Sequence, residues 1–250
     1  FSDAFPSLII AAYNCMHADK NNVKWLSSHY KGIRGWAESM LATDHAGNGL
    51  IKYGHSGNSG IWPKLGTPPF RPSNWWDTIG FGYEDAYANA LAYRAFCNMS
   101  IMAKKLNKTD EAKRYQNAAD NIQKIYYEHF YNPETGVLGG WRSKDGQLHD
   151  YYFLWVNGIA IHYGLVKKKE ANDIMDVLMA KLKEVGYTNF NMGLPGNLVT
   201  VALKDYAHIM TDARFGGGIK PDNSDGFQNY ENGGATAAYA YFTLAALYDL

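Results

Sequence analysis

The stretch EDAYANALAYRAFCNMSIMAKKL, residues 84–106, carries the clearest helical pattern in the chain. Its side chains at alternating three- and four-residue intervals form one face, with many alanines between them. The members of this face are Tyr87, Leu91, Arg94, Asn98, Ile101 and Lys105. After the short link 107–108, a second helix is predicted over 109–130, with Thr109 as its cap and two acidic residues in its first turn. The pattern predicts a tightly packed helical hairpin.

Similar periodic segments occur on both sides of this hairpin. The other predicted helices cover residues 6–17, 22–41, 152–163, 168–185 and 235–247. Long glycine- and proline-rich connections separate the pairs, at 43–82, 131–150 and 210–234. Because long loops inside a compact domain are usually functional, we expect the site to lie among them.

Short connections at one end and long ones at the other predict an all-α fold, an (α/α) toroid or barrel of helical hairpins. Residues 1–250 form one predicted catalytic domain, with short β-hairpins at 49–53 and 136–141 in the long loops. A complete toroid of six hairpins contains twelve helices, and we count about seven or eight. We therefore expect an incomplete or fragmentary ring, lacking N-terminal helices or completed by an N-terminal partner domain.

The composition argues against nucleic-acid binding and against a membrane-spanning segment. The chain has 24 basic and 24 acidic residues, so it lacks the basic surface of a nucleic-acid-binding protein. No apolar run approaches about 18 residues, so no membrane span is expected. Cys15 and Cys97 fall in apolar helical patterns and are predicted to be buried free thiols. The chain begins at Phe1 without a signal peptide, which leaves localisation open, with an extracytoplasmic location favoured.

Two loop motifs indicate carbohydrate chemistry. Each of the segments 71–77 (RPSNWWD) and 228–234 (QNYENGG) places one carboxylate among aromatic, amide and glycine residues. Aromatic rings stack on sugar rings and amides bind hydroxyl groups. A pair of carboxylates in such surroundings is what hydrolysis of a glycosidic bond requires.

The segments Asn74–Thr78, Gly82–Leu91 and Tyr230–Gly234 resemble those of inverting glycosidases with an (α/α)6 barrel. The nearest resemblance is to glycoside hydrolase family 63 and the amylo-α-1,6-glucosidase (debranching) catalytic domain. The resemblance implies exo-acting hydrolysis of an α-linked glucoside or a related oligosaccharide. In that group the acid precedes the base along the chain, an order that Asp77 and Glu231 match.

On this resemblance we assign Asp77 as the general acid and Glu231 as the general base of an inverting mechanism. Trp75 and Trp76 are expected to exclude water from the acid and so to raise its pKa. Without a catalytic role, Asp77 would cap a helix or pair with Arg71. Glu84 and Asp85 are runner-up catalytic residues, although both stand where carboxylates stabilise a helix start.

Several other residues are candidates for substrate binding. Trp62 and Trp141 are predicted stacking platforms, whereas Trp155 lies in an apolar helical run and is expected in the core. The remaining candidates are Trp75, Trp76, Asp150, Tyr151 and Asn232. No cofactor is predicted, and the scattered histidines offer no metal site.

Other activities fit the same toroid. A sugar epimerase would use two histidines of the cleft, for which His45, His55 and His149 are available. A polysaccharide lyase would need a basic cleft for uronate, which the neutral composition disfavours. A truncated barrel that binds carbohydrate without catalysis is the alternative that is not an enzyme.

Overall fold

The computed structural model describes residues 2–19, 22–54, 73–76, 78–206 and 226–250. Each predicted helix is present in these ranges, with ends shifted by a few residues. The helices are α1 (Ala4–Ala18), α2 (Val23–Leu41), α3 (Ala86–Lys105), α4 (Thr109–Phe130), α5 (Leu154–His162), α6 (Lys168–Glu184) and α7 (Ala237–Asp249).

The long connections carry short antiparallel strands. These are β1 (Glu84–Asp85), β2 (Tyr131–Asn132), β3 (Val137–Leu138), β4 (Trp141–Arg142), β5 (Leu148–His149), β6 (Leu194–Pro195) and β7 (Ala235–Thr236). They form one sheet in the order β1-β4-β5 and two pairs, β2-β3 and β6-β7. Two 3-10 turns, Phe190–Met192 and Leu203–Asp205, follow α6.

Alternate helices form an inner row, in which α1 packs on α3, α3 on α5 and α5 on α7. The other helices, α2, α4 and α6, pack on the outside of this row. The sequence explains the difference, because α3 and α5 are apolar or small on nearly every side, whereas α4 has one apolar stripe. That stripe comprises the buried residues Ala112, Tyr115, Ala119, Ile122, Tyr126 and Phe130. This layout is the predicted arrangement of helical hairpins.

The two ends of the inner row expose apolar side chains. On α7, Tyr241, Leu244 and Tyr248 are exposed, although the helix is apolar on nearly all sides. On α1, Phe5 and Leu8 are exposed. Within the described residues, no helix combines the length and apolarity needed to cross a membrane.

Three local predictions are wrong. Thr109 is the first helical residue of α4, and the capping position is Lys108. Cys15 is exposed, because the buried face of α1 contains Ile9, Ala12 and Met16 instead. Cys97 is only partly buried.

The predicted strand at 49–53 is also absent, since a side chain replaces the partner strand. The Asn89 side chain accepts a hydrogen bond from the Ile51 backbone N–H (2.8 Å) and donates one to the Ile51 carbonyl (3.0 Å). The predicted hairpin at 136–141 contributes to β3 and β4, although these strands pair with different partners.

Gly158 sets the distance between α5 and α7. A Cβ atom at this position would lie 2.6 Å from the backbone carbon of Phe242 and 2.6 Å from the backbone nitrogen of Thr243. Both atoms belong to the helix backbone and cannot move aside as a flexible side chain can. Only glycine allows this close approach, and α7 therefore packs directly against the backbone of α5.

We expect Gly158→Ala to lower the free energy of unfolding by about 1–3 kcal/mol, because the methyl group overpacks the α5–α7 contact. Urea unfolding followed by circular dichroism measures the change. Gly32→Ala is the matched control, since Gly32 lies in α2 and an added methyl group would meet nothing within 4 Å. Gly32→Ala should raise the free energy of unfolding by about 0.5–1 kcal/mol. Equal effects of the two substitutions would contradict this account of the contact.

Candidate active site

The N-terminal ends of α1 and α3 both bind the segment that carries Trp75. Asp3, the N-cap of α1, accepts a hydrogen bond from the backbone N–H of Trp75 at 2.8 Å. Asp85, the N-cap of α3, accepts hydrogen bonds from the side chains of Ser73 and Asn74, the latter at 2.8 Å. The starts of two inner helices therefore hold one loop.

The starts of α5 and α7 lie at the same end of the inner row. The Leu154 backbone N–H, at the start of α5, donates to the Gly196 carbonyl at 3.2 Å. Trp76 donates through Nε1 to the Tyr239 hydroxyl of α7 at 3.0 Å. The Gly196 N–H in turn donates to the Gly234 carbonyl at 3.3 Å. The inner helices thus share a common N-terminal end, built from the long connections.

A hydrogen-bonded contact joins the two sequence motifs at this end. The backbone N–H of Thr78 donates to Oε2 of Glu231 at 2.9 Å, and the Thr78 hydroxyl donates to the same oxygen at 2.5 Å. Glu231 is only 3% exposed. Thr78 follows Asp77 directly in the sequence, so the chain brings the two motifs together across 153 residues.

The loop that carries Glu231 is held by backbone geometry. Tyr230 has a positive φ of 47°, and a Cβ atom at Gly234 would collide with the Tyr230 carbonyl oxygen. Asn232 is fully buried, and its Oδ1 accepts the Val201 N–H at 2.9 Å. The predicted substrate-binding residue Asn232 therefore fixes the loop and presents no surface to a ligand.

The two neighbouring tryptophans occupy different environments. Trp75 is 41% exposed and stacks on Tyr239, with ring centroids 5.5 Å apart. Trp76 is fully buried and packs edge-on against Trp155, which is in the core as predicted. Among the tryptophans of the described ranges that were predicted to bind substrate, Trp75 is the accessible one.

Trp141, expected as a stacking platform in a loop, is instead fully buried and stacks on His149 at 4.7 Å. His149 Nδ1 lies 2.8 Å from Oδ2 of Asp205, and its Nε2 lies 2.9 Å from the Ser143 hydroxyl. The Tyr151 hydroxyl also donates to Oδ2 of Asp205. This buried polar network ties the β4–β5 hairpin to the 3-10 turn at 203–205.

Asp150 and Tyr151 also make internal contacts. Oδ2 of Asp150 accepts hydrogen bonds from the side chains of Thr135 and Asn132, and its Oδ1 accepts the Tyr152 N–H at 2.9 Å. Burial raises the pKa of Asp150, and these hydrogen bonds offset part of that rise. Its contacts hold the loop between α4 and α5.

Asp85 is a buried carboxyl group with neutral hydrogen-bond donors. Burial raises its pKa to about 7, while hydrogen bonds from Ser73, Ala88 and Asn74 act in the opposite direction. The nearby Asp3 carboxylate raises the pKa of Asp85 further. A carboxyl group that titrates near neutrality can serve as an acid, but Asp85 is only 2% exposed and caps α3, as its sequence position predicts.

Glu84 belongs to a separate charged cluster. It lies 2.8 Å from Nε2 of His129 and accepts a hydrogen bond from Asn48 at 3.0 Å. Hydrogen bonds from these two residues, with the nearby Lys52 ammonium group, lower the pKa of Glu84 despite its burial. A carboxylate held ionised in this way serves as an anchor and is a poor proton donor.

Asp77 and Trp62 lie outside the described residues, as does His55. Sequence reasoning missed Thr78, Asp3 and Asp205. Thr78 could have been found only through its position beside Asp77, since nothing local indicates a partner 153 residues away. In the described ranges, no group of three His, Cys, Asp or Glu side chains is arranged to hold a metal ion.

Comparison with known proteins agrees with this architecture. The family model described as the bacterial alpha-L-rhamnosidase 6 hairpin glycosidase domain matches residues 5–207. The class is therefore that of the six-hairpin glycoside hydrolases, which confirms the predicted (α/α) barrel. The chain belongs to the bacterial α-L-rhamnosidase six-hairpin glycosidase domain family. This match does not show the more specific resemblance to family 63 or to the debranching domain.

Among solved structures, the chain is similar to a rhamnosidase of the GH78 family from Bacillus sp. GL1, with 16% identity and a TM-score of 0.47. The similarity covers 67% of this chain and 16% of that one, so the chain spans a small part of that relative. A search of curated proteins found no match.

The raised pKa of Asp85 predicts a pH-dependent stability. Because its folded-state pKa of about 7 exceeds the ordinary value of 3.8, the folded protein retains this proton over that interval. The contribution is complete below about pH 4 and is lost as the pH rises through about 7. Asp85→Asn should flatten this part of the curve of unfolding free energy against pH, measured by urea unfolding from about pH 4 to 8.

Asp176→Asn, at an exposed position on α6, is the control and should keep the wild-type slope. An unchanged slope in Asp85→Asn would show that another group dominates this pH range.

Proposed function

We propose that the chain is a glycosidase in which Asp77 acts as general acid and Glu231 as general base. The observation that supports this most is the pair of hydrogen bonds from Thr78 to Glu231. Through them the loop of Glu231 contacts the residue next to Asp77. Two carboxylates on opposite sides of one glycosidic bond are the minimum that such hydrolysis requires.

The mechanism we propose is inverting. The protonated Asp77 gives its proton to the glycosidic oxygen as the bond to the anomeric carbon breaks. Glu231 takes a proton from a water molecule, whose oxygen attacks the anomeric carbon from the opposite face. The net reaction adds one water molecule across the glycosidic bond. Thr78 orients the Glu231 carboxylate, since both of its donors bind Oε2.

The substrate we propose is an α-linked sugar at the end of a chain. The name of the matched family makes a terminal α-L-rhamnoside the first substrate to test, with the α-glucoside suggested by the sequence as the second. Trp75 offers an exposed aromatic face for a sugar ring. The enzyme we propose is exo-acting and inverts the configuration of the anomeric carbon.

The alternatives have less support from the described residues. The epimerase interpretation needs two accessible histidines in the cleft. Of the two candidates within the described residues, His45 is exposed on a loop, but His149 is buried and bound to Asp205. An N-terminal partner domain stays a proposal. The exposed apolar faces of α1 and α7 favour it, since an inner helix of a closed ring would bury them.

Asp77→Asn and Glu231→Gln should each lower kcat on an aryl α-L-rhamnoside or α-glucoside by about 100- to 10,000-fold, as loss of a general acid or base does. NMR of the first product anomer tests the stereochemistry, and inversion is expected. Glu128→Gln, on the exposed surface of α4, is the control and should retain wild-type activity. Retained activity in both acid and base variants would exclude these roles.

The Thr78 hydroxyl provides a finer test. Thr78→Val removes the side-chain hydrogen bond to Glu231 and should lower kcat at least about tenfold, because hydrogen bonds to charged groups contribute about 1.5–3 kcal/mol. Thr78→Ser keeps the hydroxyl and should stay close to wild type. If the two variants have the same kcat, the hydroxyl does not orient Glu231.

A further inference from the structure

A concave pocket of about 390 Å³ lies beside the loop that carries Glu231. One wall comes from the connection after α6, residues 186–192, and the other from the segment 228–235. Glu231 itself does not line the pocket, because its side chain turns inward to Thr78. Small-molecule sites have volumes of about 300–1,000 Å³, so the pocket can hold a small ligand.

The lining is polar without being charged. Its ten residues are Gly186, Tyr187, Thr188, Asn189, Met192, Gln228, Tyr230, Gly233, Gly234 and Ala235. None of them carries a formal charge. The lining therefore suits a neutral ligand better than a uronate, a phosphate or a cationic peptide.

Two amide side chains are available for a ligand. Asn189 and Gln228 are both exposed, one on each wall, and neither side chain is hydrogen-bonded to another group of the described residues. Each amide can donate and accept, which matches the paired hydroxyl groups of a sugar. The Thr188 hydroxyl adds a third polar group on the first wall.

Aromatic and apolar surface accompanies these amides. Tyr230 is 53% exposed and Met192 61% exposed, and both line the pocket. An exposed tyrosine ring next to amide groups can stack on the apolar face of a pyranose while the edge of the sugar is hydrogen-bonded. Both residues are more than half exposed, so they present aromatic and apolar surface to the pocket.

The first wall is held in place before any ligand binds. The Tyr187 hydroxyl donates to the carbonyl groups of Asn189 (2.8 Å) and Gly193 (2.9 Å), which closes the turn at 187–193. A Cβ atom at Gly193 would overlap the Thr236 backbone, so this turn is seated on the start of α7. This wall is thus preformed, which lowers the entropy lost on binding.

We propose that this pocket is a binding site for a neutral saccharide unit, separate from the position of the cleaved bond. The proposal rests on the proposed function and extends it, since it gives the glycosidase a second contact with an oligosaccharide. The unit binds between Asn189 and Gln228 and stacks on Tyr230. Occupation of the pocket places bound sugar directly beside the loop of Glu231.

The test is an NMR titration of the wild-type chain with maltotriose, cellotriose and rutinose, and with trigalacturonic acid as the charged comparison. We expect at least one neutral sugar to shift the backbone resonances of 187–192 and 228–235, and the uronate to leave them in place. Asn189→Ala should raise the dissociation constant of that sugar about 3- to 10-fold, the loss of one or two hydrogen bonds.

Gln228→Gly serves as a second variant, because glycine suits the positive φ of 64° at this position and the side chain is removed without strain. It should weaken binding by a similar factor. Asn117→Ala, which removes an exposed amide from α4, is the control and should leave the affinity unchanged.

The proposal is overturned if none of the three neutral sugars, added to about 50 mM, shifts the resonances of these segments. A dissociation constant above that concentration is too weak for a binding site. An affinity that is unchanged in both variants also overturns the proposal. Turnover of an aryl α-glycoside by the wild-type chain is measured separately. Turnover without pocket binding refutes only the pocket, and pocket binding without turnover refutes only the proposed catalysis.

Discussion

The buried carboxyl group of Asp85 is the constraint on which the organisation of the site depends. It caps α3 through the Ala88 N–H and at the same time binds Ser73 and Asn74. A helix start and a long loop are thus fixed by one side chain. Burial disfavours the ionised form of this carboxyl group, and its hydrogen-bond donors offset part of that cost. Asp3, at the N-cap position of α1, also binds this loop through the Trp75 N–H, although its side chain makes no capping hydrogen bond to α1.

Other residues of the loop that Asp85 binds make contacts with further parts of the inner row. Trp76 reaches α7 through Tyr239, and Thr78 reaches the loop of Glu231. The close approach of α5 and α7 at Gly158 is what brings α7 within range of these contacts. The geometry of the site therefore follows from helix packing, and the long connections only complete it. A change in the spacing of the inner row would separate the two motifs.

Much of this organisation follows from sequence periodicity. The alanine-rich pattern of α3 and the stripe of α4 are local properties, so the hairpin could be predicted. The strand expected at 49–53 could not be excluded, because the group that occupies its backbone is the distant side chain of Asn89. Trp141 illustrates the same limit. Its loop position suggested exposure, yet its pairing with β1 and β5 places it in the core. The contact between Thr78 and Glu231 likewise depends on tertiary packing that no local pattern encodes.

The side chain of Lys52 places a buried positive charge beside Glu84, close to the start of α3. Its ammonium group is fully buried and lies near oxygen atoms of Asp44 (2.7 Å), Asn48 (2.5 Å), Leu50 (3.0 Å) and Glu84 (3.7 Å). Such an oxygen cage is the type of environment in which other proteins hold a calcium ion. Here the cation is covalently attached to the chain and cannot dissociate. Chelating agents therefore cannot remove it, whereas acylation of this one amine would abolish its charge and leave Asp44 and Glu84 without the ammonium group that lies near both.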